Sequence, residues 1–105
     1  MKIYTVLRQD KFDYDFSVLL TKIGCFTDKA KAIAASKTEY ESMQGEYEDE
    51  MLKYSDTDIY NPDEYGSGAL YVEEEEELGF YTIKFGTEEN HEIHDVWVDD
   101  WELQE

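Results

Sequence analysis

Carboxylates are the side chains whose number and spacing stand out in this chain. Its 105 residues include 27 Asp and Glu against nine Lys and Arg, which gives a net charge of −18 at pH 7. In an extended strand, residues follow one another every ~3.3 Å, and one DNA strand carries a phosphate per ~3.4 Å of axis. Three acidic clusters could therefore imitate rows of phosphates. They are Glu46, Glu48, Asp49 and Glu50; then Glu73, Glu74, Glu75, Glu76 and Glu77; then Asp99, Asp100 and Glu102, with Trp101 among them.

The acidic residues are unevenly distributed along the chain. Residues 39–105 contain 23 acidic and two basic residues, whereas residues 1–26 contain four basic and three acidic residues. Solubility alone requires a net charge of about 2–8 in magnitude for a small domain. The excess indicates a cationic partner, although adaptation to high salt or simple solubility also remains open. Aromatic residues alternate with the acids, and Tyr and Trp are typical interface anchors, so we expect a partner groove that is basic and partly apolar.

Residue types that could support catalysis or hold a metal are few. The chain has two histidines, His91 and His94, and one cysteine, Cys25. It has no glycine-rich phosphate loop or nucleophile elbow, so we predict neither an enzyme nor a cofactor. Zinc remains an alternative if His91 and His94 combine with Asp95 and Cys25. Positions three apart on a regular strand point to opposite faces, which disfavours that site, and we expect Cys25 to be buried in an apolar strand.

Length and composition indicate one domain over residues 1–105 in a reducing compartment. A chain of this size can bury a core without a disulfide or metal, and a single Cys excludes an internal disulfide. We find no secretory leader and no apolar stretch as long as a membrane span. We therefore expect a cytoplasmic protein, located in the host cytoplasm if a phage encodes it.

Hydrophobic periodicity predicts an α+β fold. Alternating residues favour strands at residues 2–8 and 14–26, with a polar turn at 9–13 between them. A helix begins at Thr27 or Asp28 and either ends near Gly45 or continues to about Lys53. A loop over 55–68, strands on either side of Gly79, a turn after Phe85 and a last strand over 91–103 complete the order β-β-α-β-β-β. We expect an antiparallel sheet of four to five strands with one long helix packed on one face.

Two sets of side chains are predicted to face the core. The helix places one apolar stripe at Ala30, Ile33, Ala34, Tyr40, Met43, Tyr47 and Met51. The last strand places Trp97 and Trp101 on one face and Val96 and Val98 on the other. We expect Trp97 and about half of the tyrosines to be core residues.

Two resemblances extend these expectations. The opening KIYTV, the helix start FTDKAKA and the acidic, aromatic last strand resemble short proteins of Gram-positive bacteria and their phages. In size and acidity the chain also resembles phage-encoded anti-CRISPR proteins that imitate nucleic acid. That second resemblance implies binding to the basic channel of a Cas9-type nuclease. No individual residue's role carries over from either group.

The resulting hypothesis is a stoichiometric inhibitor with an acidic surface that blocks a basic groove of a host nuclease. Its partner would be a basic nucleic-acid-binding protein such as a CRISPR nuclease, with no direct contact to nucleic acid or a membrane. The three clusters named above would form the contact. An immunity or antitoxin-like protein that binds a basic toxin is the alternative, and a zinc-stabilised binding module is a further one. The sequence leaves the oligomeric state open.

Overall fold

The computed structural model describes residues 1–12, 17–54, 69–86 and 91–102, which form five strands and two helices. Every pair of neighbouring strands is antiparallel, and their order in the sheet is β2-β1-β5-β4-β3. The α+β class and the five-stranded antiparallel sheet are confirmed. The predicted loop over 55–68 and most of the predicted turn after Phe85 lie outside the described residues. The elements are β1 (Lys2–Phe12), β2 (Ser17–Phe26), α1 (Lys29–Glu46), α2 (Glu48–Tyr54), β3 (Ala69–Glu75), β4 (Phe80–Gly86) and β5 (His91–Glu102).

Strands β1 and β5 form the long centre of the sheet. They pair without interruption from Lys2 opposite Glu102 to Phe12 opposite Glu92. The prediction that the chain turns at residues 9–13 is wrong for residues 9–12, because each of them pairs with β2 on one side and β5 on the other. Residue 13 lies outside the described part.

Both helices pack on one face of the sheet, and the core lies between the two layers. Alternate side chains of the strands point to this face, among them Val6 of β1, Ile83 of β4 and Val96 of β5, all fully buried. Apolar contacts of this kind supply most of the stability of a small domain. The core cluster is completed by Ala32, Tyr40, Met43, Tyr81 and Phe85.

Helix α1 faces the sheet with a stripe that differs from the predicted one. Its buried residues are Ala32, Ser36, Tyr40 and Met43, whereas the predicted Ala30 and Ala34 are exposed. The stripe was misplaced because it contains Ser36, a polar residue whose hydroxyl donates to the Ile33 carbonyl oxygen at 2.7 Å and so needs no water. The helix begins at Lys29, and its N-cap is Asp28, whose carboxylate accepts a hydrogen bond from the Ala30 amide at 2.9 Å.

The prediction of a single long helix is wrong, because the structure has two helices here. Helix α1 ends at Glu46, Tyr47 adopts a non-helical conformation with φ −111° and ψ 20°, and α2 begins at Glu48. The break turns α2 towards β4 and β3. Within the described residues, neither helix has the length and apolar composition needed to cross a membrane.

No described helix or strand covers the second face of the sheet. The register puts Trp97 and Trp101 together on this face and Val98 on the other, as predicted. The prediction that Trp97 belongs to the core is wrong, because it lies half-buried on the uncovered face. Cys25, expected to be buried, is exposed there opposite Thr5, since β2 is an edge strand and no described helix or strand packs over this face.

Candidate partner-binding surface

The five consecutive glutamates lie along the edge of the sheet and around one turn. Glu73, Glu74 and Glu75 belong to β3, which has a partner on one side only. Glu76 and Glu77 belong to the β3–β4 turn, which closes through hydrogen bonds from the Leu78 amide to the Glu75 carbonyl oxygen and from the Gly79 amide to Glu76. All but Glu73 are exposed. Carboxylates on an edge strand also discourage pairing with other chains.

Adjacent glutamates of β3 point to opposite faces, which changes the predicted spacing. Glu74 lies on the helix side, where it accepts a hydrogen bond from Tyr40, while Glu73 and Glu75 lie on the uncovered side. Burial first, and then the negative charge of Glu74, raises the pKa of Tyr40 to about 12. Carboxylates on one face therefore recur every ~6.6 Å, twice the spacing assumed in the comparison with DNA.

The end of β5 lies beside this turn, so two of the three predicted clusters come together. A cleft of 660 Å³ runs between them, and its lining includes Leu78 of the turn, Phe80 of β4, and Trp97, Val98 and Asp100 of β5. Asp100 is exposed and Asp99 is half-buried, and Trp101 is 58% exposed on the uncovered side. We call this region the turn-end surface and define it as Glu74–Glu77 with Asp99–Glu102.

Part of the negative charge on the turn-end surface is already paired. Lys2 contacts Asp100 at 3.2 Å, the amino terminus contacts Glu102 at 3.3 Å, and Lys37 contacts Glu76 at 3.4 Å. Such exposed pairs are weak. Within the described part of the chain, Glu75 and Glu77 have no cation within ion-pair distance. These two side chains are therefore the most available to a partner.

The remaining predicted cluster lies at the C-terminal end of α1. Glu48, Asp49 and Glu50 form the first turn of α2, where negative charge also stabilises the positive end of the helix dipole. Lys37 of α1 contacts Glu76 of the turn, and the helix from Lys37 to Glu46 is about 14 Å long. The structure thus brings two predicted clusters together and keeps the third apart. We call Glu48–Glu50 with Glu46 the α2 surface.

No family model, curated protein or solved structure matches this chain. Its function is therefore inferred from its own surface and interior.

Glu46 differs from its neighbours because it joins a largely buried polar network that sequence inspection missed. Arg8 of β1 donates to Asp10 at 3.1 Å, to Glu39 at 2.8 Å and to Glu46 at 2.6 Å. His94, which is fully buried, has Nδ1 2.6 Å from Asp10 and Nε2 3.1 Å from Glu92. Both ring nitrogens of His94 therefore lie within hydrogen-bond distance of a carboxylate.

The network connects α1 to the sheet through the contacts of Arg8 with Glu39 and Glu46. Burial alone would raise the pKa of Asp10, but hydrogen bonds from His94 and Arg8 lower it below its usual range. The Tyr47 ring stacks on His94 with ring centres 4.0 Å apart and closes the network from the helix side. Burial, followed by the charge of Asp10, raises the pKa of Tyr47 to about 12. These contacts hold α1 and the following Tyr47 against β1 and β5.

The structure does not bring together His91, His94 and Cys25, which the zinc alternative requires. His94 points into the core and His91 lies on the uncovered face, so the expected opposite orientation is confirmed. Cys25 is on β2, at the end of the sheet where β1 begins, whereas the two histidines are on the half of β5 that pairs with the end of β1. In the described ranges, no three His, Cys, Asp or Glu side chains are placed to hold a metal ion.

Proposed function

We propose that this protein is a stoichiometric inhibitor that binds a basic groove on another protein, in place of nucleic acid. The groove would belong to a nuclease of the host cell, and a Cas9-type nuclease with its guide RNA is the first target to assay. The resemblance to nucleic-acid-mimicking anti-CRISPR proteins motivates that choice of target.

The observation that carries this proposal is the composition of the turn-end surface. Two carboxylates without ion-pair partners in the described structure, Glu75 and Glu77, lie at the same end of the sheet as Trp101, which is more than half exposed. Phosphate-binding grooves contain Lys and Arg together with apolar walls, and an acidic patch with a large aromatic side chain complements both.

Electrostatics favours the complex of the two proteins over the separate proteins. A basic groove holds condensed anions, and an acidic protein that replaces them gains the entropy of their release, as nucleic acid does. The doubled spacing of same-face carboxylates lowers the charge density of one row. A second contact through the α2 surface would compensate, provided that the groove extends the ~14 Å along α1 from Lys37 to Glu46.

The interior supports binding rather than catalysis. The titratable side chains around Arg8 and His94 pair with one another, and His94 is fully buried beneath Tyr47. A general acid or base must lie within hydrogen-bond reach of its substrate. Binding through exposed carboxylates requires no such access.

Charge reversal on the turn-end surface tests the proposal. Glu77→Lys is compared with Glu41→Lys, an exposed position on α1 that changes the net charge equally and lies outside both acidic surfaces. Binding to purified Cas9–guide RNA is measured by titration, together with inhibition of DNA cleavage. We expect Glu77→Lys to weaken binding about tenfold and Glu75→Lys/Glu77→Lys to abolish it, because each reversal adds repulsion in a low-dielectric groove. Glu41→Lys should retain affinity to within about twofold.

Salt and competition give the outcomes that separate the rival functions. Affinity should fall at least about tenfold between roughly 50 and 200 mM NaCl, and duplex DNA should displace the protein. Binding to a basic protein that DNA does not displace would favour the antitoxin-like alternative. Equal effects of Glu77→Lys and Glu41→Lys would rule out the turn-end surface as the contact.

A further inference from the structure

Strand β2 is an exposed apolar edge of the sheet. Its outer side has no neighbouring strand among the described residues. Val18, Leu19 and Leu20 are 57%, 58% and 60% exposed, although they are consecutive and apolar. An edge with unpaired backbone groups and exposed apolar side chains favours pairing with another strand.

The two edges of the sheet differ sharply in charge. On β3 the sequence places Glu73, Glu74 and Glu75 in succession, and a second copy approaching that edge would oppose like charges. Strand β2 has no carboxylate, and its one charged residue is Lys22. It is also part of the near-neutral first quarter of a chain whose net charge is −18. A second copy of this chain can therefore approach along β2 with far less repulsion than along β3.

We infer that β2 pairs with β2 of a second copy, antiparallel, around a two-fold axis at Leu19. The product is a continuous ten-stranded sheet in which the helices of both copies lie on the same side. Antiparallel pairing about a two-fold axis places the same patch of both copies in contact, as in most homodimers.

The side chains determine this register. Leu19 points to the helix side of the sheet, and Val18 and Leu20 point to the uncovered side. Centring on Leu19 places Leu19 opposite its counterpart and Val18 opposite Leu20, so that apolar pairs form on both faces. Centring on Leu20 would instead place Val18 opposite Lys22.

An irregularity in β2 limits the length of the pairing. The register with β1 shifts between Val6 and Leu7, which leaves Ile23 as the extra residue of β2. Bulges bend a strand and increase its twist, so the paired stretch ends near Lys22. A ladder this short buries less than the ~1,200 Å² typical of stable complexes, and the dimer should dissociate on dilution.

Salt dependence separates this self-association from the proposed inhibitor function. Two copies, each with a charge of −18, repel at long range, and salt screens that repulsion. Dimerisation should therefore strengthen with NaCl, whereas binding to a basic groove should weaken. The proposed dimer can therefore be disproved while the inhibitor function stands, and the inhibitor function can be disproved while the dimer stands.

Sedimentation velocity over a range of protein concentrations tests the inference in solution. The average mass should rise with concentration from 12.4 kDa towards twice that value, and more steeply at higher NaCl. Leu19→Lys should raise the dissociation constant about tenfold or more, because two lysines then face each other at the axis. The control is Leu78→Lys, a 61% exposed leucine in the β3–β4 turn, which should leave association unchanged.

Cysteine cross-linking provides a second measurement. In a Cys25→Ser background, Leu19→Cys should form an intermolecular disulfide on mild oxidation, because directly opposite Cβ atoms are ~5 Å apart. Leu78→Cys should remain unlinked under the same conditions. A protein that stays monomeric at every concentration and salt level, or that cross-links equally at both positions, would overturn the inference.

Discussion

At the scale of single residues, the interior holds more charge than the strand pattern of β1 indicates. The alternation in KIYTVLR identified the strand correctly, and it places Arg8 and Asp10 on the same face as the buried Val6. Their partners could not be read from the sequence, because Glu39 is 31 residues from Arg8 and His94 is 84 residues from Asp10. Only the tertiary fold brings them within hydrogen-bond distance.

Replacing Arg8 with methionine tests whether this network stabilises the fold. The change preserves side-chain length but leaves Asp10, Glu39 and Glu46 without their shared cation. Removing one partner from a buried ion pair costs about 3–5 kcal/mol, and we expect about 3 because Glu46 is half-exposed. Urea unfolding monitored by circular dichroism measures the loss.

Lys2→Met is the matched control for Arg8→Met. It removes a cation from the same strand, but the pair of Lys2 with Asp100 is exposed, so the urea midpoint should barely move. Equal shifts in the two variants would mean that Arg8 acts through net charge and that its buried contacts contribute little.

At the scale of elements, one close contact explains why the stripe of α1 was misplaced. Gly79 of the β3–β4 turn has φ +68°, and a Cβ atom built there would lie 2.7 Å from Ser36 Oγ and 2.8 Å from a Val98 methyl carbon. The turn therefore packs directly against α1, and the small side chain of Ser36 makes room for it. Periodicity counts apolar residues and gives no weight to a buried serine, so it favoured Ala34.

Alanine substitutions at two glycines should have opposite effects. Gly79→Ala combines a left-handed backbone with two clashes and should destabilise the fold by about 2–4 kcal/mol. Gly45→Ala lies in α1 with no atom within 4 Å of the added Cβ, and should stabilise the fold by about 0.5–1 kcal/mol. Thermal melts would then show a fall of roughly 10 °C or more and a rise of about 4 °C, respectively. A loss of stability in both variants would contradict the assignment of Gly45 to an unstrained helical position.

The break between α1 and α2 also reflects a requirement of the tertiary structure. Gly45 was recognised as a weak point of the helix, but the non-helical residue is Tyr47. Its ring stacks on His94 and lies 5.5 Å, centre to centre, from Phe85, which anchors the chain where the helix direction changes. A contact with β5 decides this position, and helix propensity alone could not locate it.

At the scale of the whole molecule, the sequence correctly indicated that charge is segregated along the chain, but the sheet order determines where that charge lies. Strands β2 and β3 become opposite edges, one without carboxylates and one lined with glutamates. The glutamates of the β3–β4 turn lie beside the middle of α1 and the α2 surface lies at its C-terminal end, which the linear order of the clusters does not imply. A partner would therefore meet two acidic surfaces, while a second copy would meet the edge that has no carboxylate.

Self-repulsion at this net charge should make folding itself more favourable as salt is added. A charge of −18 on 105 residues opposes compaction, and its screening outweighs the loss of a few exposed ion pairs, which are each worth little. Raising NaCl from about 20 to about 500 mM shortens the Debye length several-fold and should raise Tm by about 5 °C.

NaCl is preferred to a sulfate salt, because sulfate strengthens apolar burial in any protein. Glu41→Lys/Glu77→Lys, which reduces the net charge to −14, should show a smaller rise. A Tm that falls with NaCl would mean that attraction between paired side chains, rather than repulsion among carboxylates, dominates the electrostatics of the folded chain.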